Sequence, residues 1–440
     1  MESTNKNLVE LRKLEGTPSW GATFPHSLQH ILATLVGNIT PPIIISNTLS
    51  LTEPERIILI QACMVIAGIT TFVQAKSFKG VGMGLPNVMG VAFAYMPILL
   101  TVGTTYGIAA IFGAQLVAAL VSIFLGVAME KIRHLFPPVV SGTVVLCIGL
   151  SLYGTAMNYI AGGVGNEQFG DPRFITIAAI TLVVTLIFNF FGKGIVKTLG
   201  ILLGIIVGYI VWAFWIGVNF SDVANASWVA LPQLIPFGLE FPVGAIISMI
   251  LMYIVQAVQT IGDVSSTAVG AFGREATNEE LGGAVKGTGV CGALGALIGG
   301  FPTDPFSQNV GIIVTTKVVA KRVFYIVALI LVLAGLIPKF GAIMTTIPYP
   351  VLGGATITVF AAITMSGIQL ITEQPLNYRN RMIVGISIAV AVGLTTVPEA
   401  ITGFVPPAIA GVITGSPIVM GFLISFILNI IVPEDNSPAD

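Results

Sequence analysis

Long apolar runs separated by short polar segments extend along almost the whole chain. A helix needs about 20 apolar residues to cross a membrane, and fourteen runs approach that length. The pattern therefore predicts an all-α polytopic membrane protein with fourteen transmembrane segments. The predicted segments are residues 24–47, 56–75, 86–102, 106–129, 135–157, 175–192, 196–217, 242–262, 282–300, 305–317, 322–344, 349–370, 381–397 and 405–432.

Two of these segments, the third (86–102) and the tenth (305–317), are short and interrupted by glycine and proline. They occupy the same place in two halves of seven segments. The fifth and twelfth segments also correspond, because each contains a Pro-Val pair near its start, at Pro138 or Pro350, that closely follows a second proline and opens a long apolar run. Since seven is odd, the second half enters the membrane from the opposite side. The sequence thus predicts a 7+7 inverted repeat with two broken spans.

The distribution of basic residues supports this topology. With both termini on one side, that side holds all of the 19 Lys and Arg residues except Arg56, Arg173 and Lys339. Cytoplasmic loops carry the Lys and Arg excess in membrane proteins. We therefore expect both termini in the cytoplasm and the chain in the plasma (inner) membrane.

Composition narrows the functional classes. The chain of 440 residues is 55% hydrophobic and only 9% charged, with a net charge of −1 and a mean hydropathy of +0.95. Soluble domains carry about 25% charged residues. The composition excludes a soluble enzyme, a secreted domain and a nucleic-acid partner, and indicates a lipid bilayer. The three cysteines are far apart in apolar runs and are expected to be buried small hydrophobes.

The broken spans predict where a ligand binds. Backbone N–H and C=O groups exposed at membrane depth are tolerated only where they line a cavity or are covered by protein. Half-helix N-termini direct partial positive charge at a ligand. Broken spans at matching positions of two inverted halves are typical of secondary transporters. The alternative is that glycine and proline are simply common in membrane helices.

Two acids fall inside predicted spans or at their ends. Asp263 closes the eighth segment and Asp304 opens the tenth. Ionisable residues at membrane depth are expensive and are functional candidates by default. Asp304 has an equally good structural interpretation, as the N-cap of a helix that begins at Pro305. Asp263 has the alternative of lying at a cytoplasmic helix end.

Carboxamides and aromatic rings suggest the chemistry of the ligand. Gln259 lies one helical turn before Asp263, and Gln308 and Asn309 lie together in the tenth segment. A carboxamide offers an acceptor and two donors in one plane, which matches the edge of a planar heterocycle. Phe93, between Ala92 and Ala94, and Phe306 could stack on the two faces of such a ring.

His30 and the remaining sequence motifs say less about function. His30 in the first span could relay protons, but an interhelical hydrogen bond is the favoured interpretation. The chain has no HExxH sequence, no Walker lysine loop and only three histidines. We expect neither an enzyme activity nor a cofactor or metal centre.

At these positions the chain resembles the nucleobase–ascorbate transporter family, the xanthine/uracil permeases, over essentially all fourteen spans. The most specific match runs from Gln308 to Lys317 and follows the pattern Gln or Glu, Asn, any residue, Gly, four residues, Thr. Gln29-His30, Ala92-Phe93-Ala94 and Thr260-Ile261-Gly262-Asp263 also fit.

The resemblance implies a core domain of spans 1–4 and 8–11 and a gate domain of spans 5–7 and 12–14, through which homodimers form. Each broken span would contribute a short strand and a half-helix. The implied boundaries are 1–23 for the cytoplasmic N-terminal tail, 24–129 and 242–344 for the core, 130–241 and 345–432 for the gate, and 433–440 for the cytoplasmic C-terminal tail.

The resemblance also implies a nucleobase substrate, xanthine, urate or uracil, carried with protons or sodium. Gln rather than Glu at position 308 is similar to the purine-type members. By the same resemblance, Gln308 reads the edge of the base with Asn309 and Ser307 beside it, Phe93 stacks on it, and backbone N–H groups near Ala94 bind its carbonyls. Phe306 would line the opposite side.

Two departures from the family pattern bear on coupling. This chain has Gln259 where the family usually has Glu, and Thr288 where many members have Asp. A Gln can bind a purine but cannot accept a proton. The coupling candidates are therefore Asp263, Asp304, His30 and Thr288, unless coupling is weak.

The sequence predicts a secondary active transporter of a purine base, xanthine or urate first, working by motion of core against gate. Four alternatives remain open at this point. They are a permease for uracil or another nucleobase, an uncoupled nucleobase facilitator, an anion transporter or exchanger of the same inverted architecture, and a channel.

Overall fold

The computed structural model describes residues 2–132, 137–193, 195–405, 413–414 and 417–433, and these are mostly helical. The long apolar runs give the long helices, and proline marks the start of several of them, as at Pro54, Pro138, Pro172 and Pro350. The helices are α1 (Glu2–Leu11), α2 (Trp20–Thr48), α3 (Glu53–Lys76), α4 (Met96–Tyr106), α5 (Ile108–Ile132), α6 (Pro138–Ile160), α7 (Pro172–Phe191), α8 (Ile195–Thr198), α9 (Gly200–Trp215), α10 (Ser221–Asn225), α11 (Val243–Phe272), α12 (Asn278–Ile298), α13 (Ser307–Thr316), α14 (Lys321–Gly335), α15 (Pro338–Thr345), α16 (Tyr349–Ile371), α17 (Tyr378–Thr396), α18 (Glu399–Thr402) and α19 (Pro417–Ile431).

Several helices have the length and polarity of membrane spans. Within the described residues, eight helices are long and apolar enough to cross a bilayer, or nine if α14 and α15 are taken as one broken span. A bend of 79° separates α14 from α15, at a break that leads into Pro338. The chain is therefore a multi-pass membrane protein. The count of fourteen spans stays a prediction, and part of the fourteenth lies outside the described residues.

Two short strands lie in the middle of the fold. Strand β1 (Met89–Val91) pairs antiparallel with β2 (Thr303–Pro305), and Gly90 faces Asp304 in the register. Each strand leads into a helix: β1 leads through a 3₁₀ turn (Phe93–Tyr95) into α4, and β2 leads into α13. The strand pair therefore sets the starts of α4 and α13 next to each other.

Helix packing follows the symmetry that the repeat predicts. The repeat relates α6 to α16, β1 to β2, α5 to α14 and α3 to α12. In the structure α6 packs along α16 and β1 pairs with β2, while the contact of α5 with α12 has its counterpart in the contact of α14 with α3. A two-fold relation between the halves maps each of these contacts onto itself or onto its partner.

Glycines make the α6–α16 contact close. A Cβ atom on Gly142 would lie 2.6 Å from the backbone nitrogen of Ile371, and one on Gly149 would lie 2.8 Å from the Cα of Thr364. Small residues at membrane helix interfaces let the backbones approach in this way. The hydroxyl of Tyr153 also donates to the hydroxyl of Thr364 at 2.7 Å. This helix pair forms a continuous wall.

Two local predictions are wrong. The eighth segment does not end at residue 262, because α11 continues to Phe272 and ends at Gly273, whose positive φ of 67° suits glycine. Asp263 therefore lies inside a helix and not at its end. Asp304 is not the N-cap of a helix, because it pairs in β2 while Phe306 takes the N-cap of α13.

Candidate functional site

A cavity of about 450 Å³ lies between two walls of the bundle. One wall comes from α2, the β1–α4 junction, α11 and the β2–α13 junction, and the other comes from α6, α9 and α16. The volume falls in the range of small-molecule sites, about 300–1,000 Å³. The cavity brings together most of the predicted site residues, namely Ala92, Phe93, Ala94, Gln259, Asp263, Asp304, Phe306, Ser307 and Gln308.

Two helix starts point at this cavity. The 3₁₀ turn before α4 begins at Phe93, and α13 begins at Ser307, both in the cavity lining. The first amides of a helix have no partner within it, and they carry the positive end of the helix dipole. The junctions therefore present backbone donors to a ligand carbonyl or anionic oxygen. Ser307 and Gln308 are also exposed to the cavity.

Asp263 joins α11 to the start of α13. Its Oδ1 accepts a hydrogen bond from the hydroxyl of Ser307 at 2.9 Å. Gln259, one turn earlier on α11, lies beside the same carboxylate. Oδ2 of Asp263 and Oε1 of Gln259 have no hydrogen-bond partner among the described residues. Both acceptors are buried within the protein, and their hydrogen-bonding capacity is unused in this conformation.

Asp304 lies deeper. It is 2% exposed, and its Oδ1 accepts a hydrogen bond from the hydroxyl of Thr260 at 2.8 Å. The same hydroxyl lies 3.0 Å from the backbone carbonyl oxygen of Gln256, which is the alternative acceptor for its single proton. The bond ties β2 to the middle of α11, one residue from Gln259.

Aromatic rings flank the cavity. Phe306 occupies the space that Gly37 and Gly90 leave open, and a Cβ on Gly37 would lie 2.7 Å from its Cζ. Phe93 packs edge-on against Phe360 of α16, with ring centroids 5.5 Å apart. Both rings lie in the lining, so a flat ligand can contact aromatic surface from the β1–α4 junction and from the β2–α13 junction.

Three predicted residues are not in the lining. Asn309 is completely buried, and its Nδ2 lies 3.1 Å from Nδ1 of His30 and donates to the carbonyl of His30 at 3.2 Å. This is the interhelical hydrogen bond favoured for His30, and it joins α13 to α2. Thr288 is buried in α12 and donates to the carbonyl of Val285 at 2.8 Å.

The opposite wall supplies polar residues that the sequence analysis did not single out. Ser366 and Gln369 of α16 and Glu373 just beyond it line the cavity. Gln369 lies in the last turn of α16, and Glu373 lies in the turn that follows it. Nothing in the local pattern distinguishes them from ordinary residues of a span end, because only tertiary packing brings α16 opposite α11.

Charge in the cavity has one sign. The charged side chains among its described lining residues are Asp263, Asp304 and Glu373, all acidic. The described residues contain no cluster of three or more His, Cys, Asp or Glu side chains that could hold a metal. A neutral or weakly acidic ligand that presents N–H donors therefore fits better than a strongly charged anion.

Comparison with known proteins agrees with this arrangement. The permease family model for xanthine/uracil permeases matches residues 21–400. The chain is 36% identical over 405 residues to the uric acid permease PucK of Bacillus subtilis, covering 91% of this chain and 93% of that protein. It is 35% identical over 412 residues to a putative purine permease of Clostridium perfringens, covering 92% and 89%. It is 29% identical over 437 residues to the xanthine permease XanQ of Escherichia coli, covering 96% and 93%.

Solved structures share the fold at low sequence identity. The transmembrane domain of the cyanobacterial bicarbonate transporter BicA superposes with a TM-score of 0.57 at 13% identity, covering 93% of this chain and 97% of that one. The murine anion transporter Slc26a9 in its inward-facing state gives a TM-score of 0.59 at 10% identity, covering 93% and 68%. The likeness is to transporters with an inverted-repeat fold.

Proposed function

This chain belongs to the xanthine/uracil permease family, and we propose that it carries an oxidised purine base, xanthine or urate first, across the plasma membrane as a secondary active transporter. The relatives that support this substrate class are permeases for uric acid, xanthine and purines. Permeases of this family are transporters and not enzymes.

One observation carries the proposal: the carboxamides of Gln259 and Gln308 and two unpaired helix starts line one cavity. An oxidised purine presents C=O and N–H groups alternately around a flat ring. Carboxamides match both kinds of group in one plane, and first-turn amides match the carbonyls. A compact inorganic anion would gain little from the carboxamides and would face three carboxylates.

The roles follow from the lining. Gln308 and Gln259 bind the edges of the base, Phe93 and Phe306 contact its faces, and the amides near Ala94 and Ser307 bind its carbonyls. Ala92 leaves room for the ring beside Phe93. Asn309 contributes indirectly, by holding α13 against α2 through His30.

We propose that the chain has fourteen spans arranged as a 7+7 inverted repeat. The third span is broken at the β1–α4 junction and the tenth at the β2–α13 junction. Residues 24–129 and 242–344 form the core, and residues 130–241 and 345–432 form the gate. The smooth α6–α16 wall lets the core move past the gate and expose the cavity to each side in turn. Both termini are cytoplasmic, and two copies associate through the gate.

We also propose that purine transport is coupled to the transport of a cation. Gln259 cannot carry a proton, whereas Asp263 and Asp304 lie in the same cavity and can balance a cation. We assign the coupling to these carboxylates. His30 is committed to Asn309, and the Thr288 hydroxyl is committed to a backbone carbonyl within α12.

The test is uptake of radiolabelled xanthine into proteoliposomes, with urate and uracil as competitors. Imposed inward gradients of protons and of sodium are compared with no gradient. We expect accumulation above equilibrium with one gradient, competition by urate, and loss of uptake in Gln308→Ala. The control Gln168→Ala alters an exposed glutamine outside the cavity and should transport normally. Absence of binding and uptake of every purine tested would overturn the proposal.

A further inference from the structure

A second cavity, the side cavity, lies between residues 35–40 of α2, residues 202–210 of α9 and residues 343–352 around the start of α16. Its volume is about 230 Å³, and its described lining contains no carboxylate and no carboxamide. Helix α9 packs closely along α7 and α16 but touches α2 only lightly. The side cavity is therefore a gap between the proposed core, which contains α2, and the proposed gate, which contains α9.

The lining of the side cavity has no polar group to spare. Its side chains are aliphatic except for those of Thr40, Tyr209 and Met344. The hydroxyl of Thr40 donates to the carbonyl of Val36 at 2.8 Å, and the hydroxyl of Tyr209 lies 2.7 Å from that of Thr346. An apolar cavity without polar partners does not hold water, so the side cavity suits an apolar occupant.

The rim of the side cavity faces outward from the protein. Ile206 and Ile210 of α9 are 45% and 47% exposed, and Ile343 of α15 is 43% exposed. All three side chains line the side cavity. Helix α2 has the length and polarity of a membrane span, and α9 is a shorter apolar helix. Because exposed aliphatic side chains at membrane depth face hydrocarbon, the side cavity opens into the interior of the bilayer.

We propose that the side cavity binds one acyl chain of a membrane phospholipid. The chain enters between Ile206, Ile210 and Ile343, while the headgroup stays at the bilayer surface, because the side cavity offers it no polar partner. An empty apolar gap loses the dispersion contacts of its lining, and an acyl chain restores them. Acyl chains are also the apolar groups that the surroundings of this rim supply in excess.

Two side chains separate the side cavity from the purine cavity. Val36 of α2 and Leu202 of α9 line both cavities, so one comes from the proposed core and the other from the proposed gate. An acyl chain in the side cavity packs against the back of this partition and bridges the two domains. Its presence therefore opposes sliding of core against gate. Only this linkage to transport rests on the proposed function, and the lipid site itself does not.

The experiment maps the lipid without any purine. The purified full-length protein in detergent is mixed with a phosphatidylethanolamine that carries a diazirine in one acyl chain, and the mixture is irradiated and digested. Mass spectrometry then identifies the labelled residues. We expect labelling of α9 and of the α15–α16 connection that saturates with probe concentration and is displaced by the same phospholipid without the diazirine.

Substitutions at the rim test the position of the site. Ile206→Trp and Ile210→Trp each put a larger apolar side chain at the entrance, and each should lower labelling at Ile347 about tenfold. Val183→Trp is the matched control and should leave this labelling unchanged, because Val183 is 52% exposed on α7 and does not line the side cavity. Unfolding temperatures recorded in the same detergent show which variants are folded.

Three outcomes would overturn the proposal. The first is the absence of saturable labelling in the side cavity of the wild-type protein. The second is equal labelling at Ile347 in the wild type and in folded Ile206→Trp and Ile210→Trp. The third is efficient cross-linking of two copies through Ile210→Cys, because a second copy of the chain would then cover the side cavity.

Uptake of xanthine tests the linkage to transport separately. We expect Ile206→Trp to slow initial uptake into proteoliposomes about threefold, because its side chain permanently fills the gap between core and gate. An unchanged uptake rate in this variant would overturn the linkage and leave the lipid site in place. Absence of uptake by the wild-type protein would overturn the proposed function, whereas the labelling result would still stand.

Discussion

The Ser307 hydroxyl at the start of α13 donates to Asp263 in the middle of α11 at 2.9 Å. This bond crosses the floor of the cavity and joins two segments that are separated in sequence by α12 and β2. It holds the N-terminal turn of α13, including Gln308, at a fixed position relative to Gln259. The bond also occupies one of the two oxygens of Asp263, and the other oxygen is buried without a partner among the described residues.

Removing this bond should weaken substrate binding. We expect Ser307→Ala to raise the KM for xanthine about tenfold, since a hydrogen bond to a charged group contributes about 1.5–3 kcal/mol. The control is Ser266→Ala, which alters another exposed serine of the cavity on α11. Initial uptake rates in proteoliposomes measure both variants. An equal effect of the two substitutions would show that the Asp263 bond is not the cause.

Sequence reasoning singled out most of the polar and aromatic residues that line the cavity, because their signals are local. Glycine and proline interrupt the third and tenth segments, and Phe93, Phe306 and Gln308 stand out as polar or aromatic residues in those interruptions. Gln259 stands out in the eighth segment because it lies one helical turn before Asp263. The same reasoning could not decide the place of Asp304. An Asp before Pro305 suits a helix start, and only pairing of β2 with distant β1 puts it in a strand.

Other misses have a similar cause. Gly262 suggested the end of a span, but glycine is tolerated inside a membrane helix, and α11 buries Val264 and Ala268 beyond that point. Asn309 and Gln308 are neighbours in sequence, yet successive residues of a helix point about 100° apart. One therefore faces the cavity and the other faces His30, which sequence order alone does not reveal.

The space beside Gly37 should matter for the substrate site. Gly37→Ala places a methyl group 2.7 Å from the Cζ of Phe306 and should displace that ring, with an overpacking cost of about 1–3 kcal/mol. We expect weaker xanthine binding and a lower unfolding temperature. Gly385→Ala on α17 meets open space and should leave both unchanged or slightly improved. If Gly37→Ala binds xanthine as tightly as the wild-type protein does, Phe306 does not contact the substrate.

The N-terminal segment should stabilise the core side of the site. Leu11 is 3% exposed, and its carbonyl accepts from the backbone nitrogens of Val319 at 2.8 Å and Ala320 at 3.1 Å, just after α13. We expect Leu11→Ala to lower the free energy of unfolding by about 2–3 kcal/mol. Leu8→Ala, on the same helix but 51% exposed, should change it by less than about 0.5 kcal/mol. Unfolding can be followed with a thiol-reactive dye, because all three cysteines are buried.

The pairing of His30 with Asn309 should be structural. We expect His30→Leu and Asn309→Leu each to destabilise the protein by about 1–3 kcal/mol, because each leaves a buried polar partner unsatisfied. The double variant should lose less unfolding free energy than the two single variants together, with a coupling energy of about 1 kcal/mol between the two sites. His30→Gln, which can still accept from Asn309, should keep both stability and the pH profile of uptake. A changed pH profile in His30→Gln would instead make His30 a proton carrier.

Motion of the core against the gate should change access to the α16 wall. Ser366 lines the cavity, while Cys63, Cys147 and Cys291 are buried, so Ser366→Cys introduces one reactive thiol on an unreactive background. We expect a membrane-impermeant maleimide to label it in inside-out vesicles and saturating xanthine to slow labelling about fivefold, as a bound ligand excludes the reagent. Ser227→Cys, exposed outside this cavity, should label from the opposite side at a rate that xanthine does not change. Labelling of Ser366→Cys that is equally fast with and without xanthine would place the substrate elsewhere, because a purine held between Phe93 and Phe306 has to lie in front of α16.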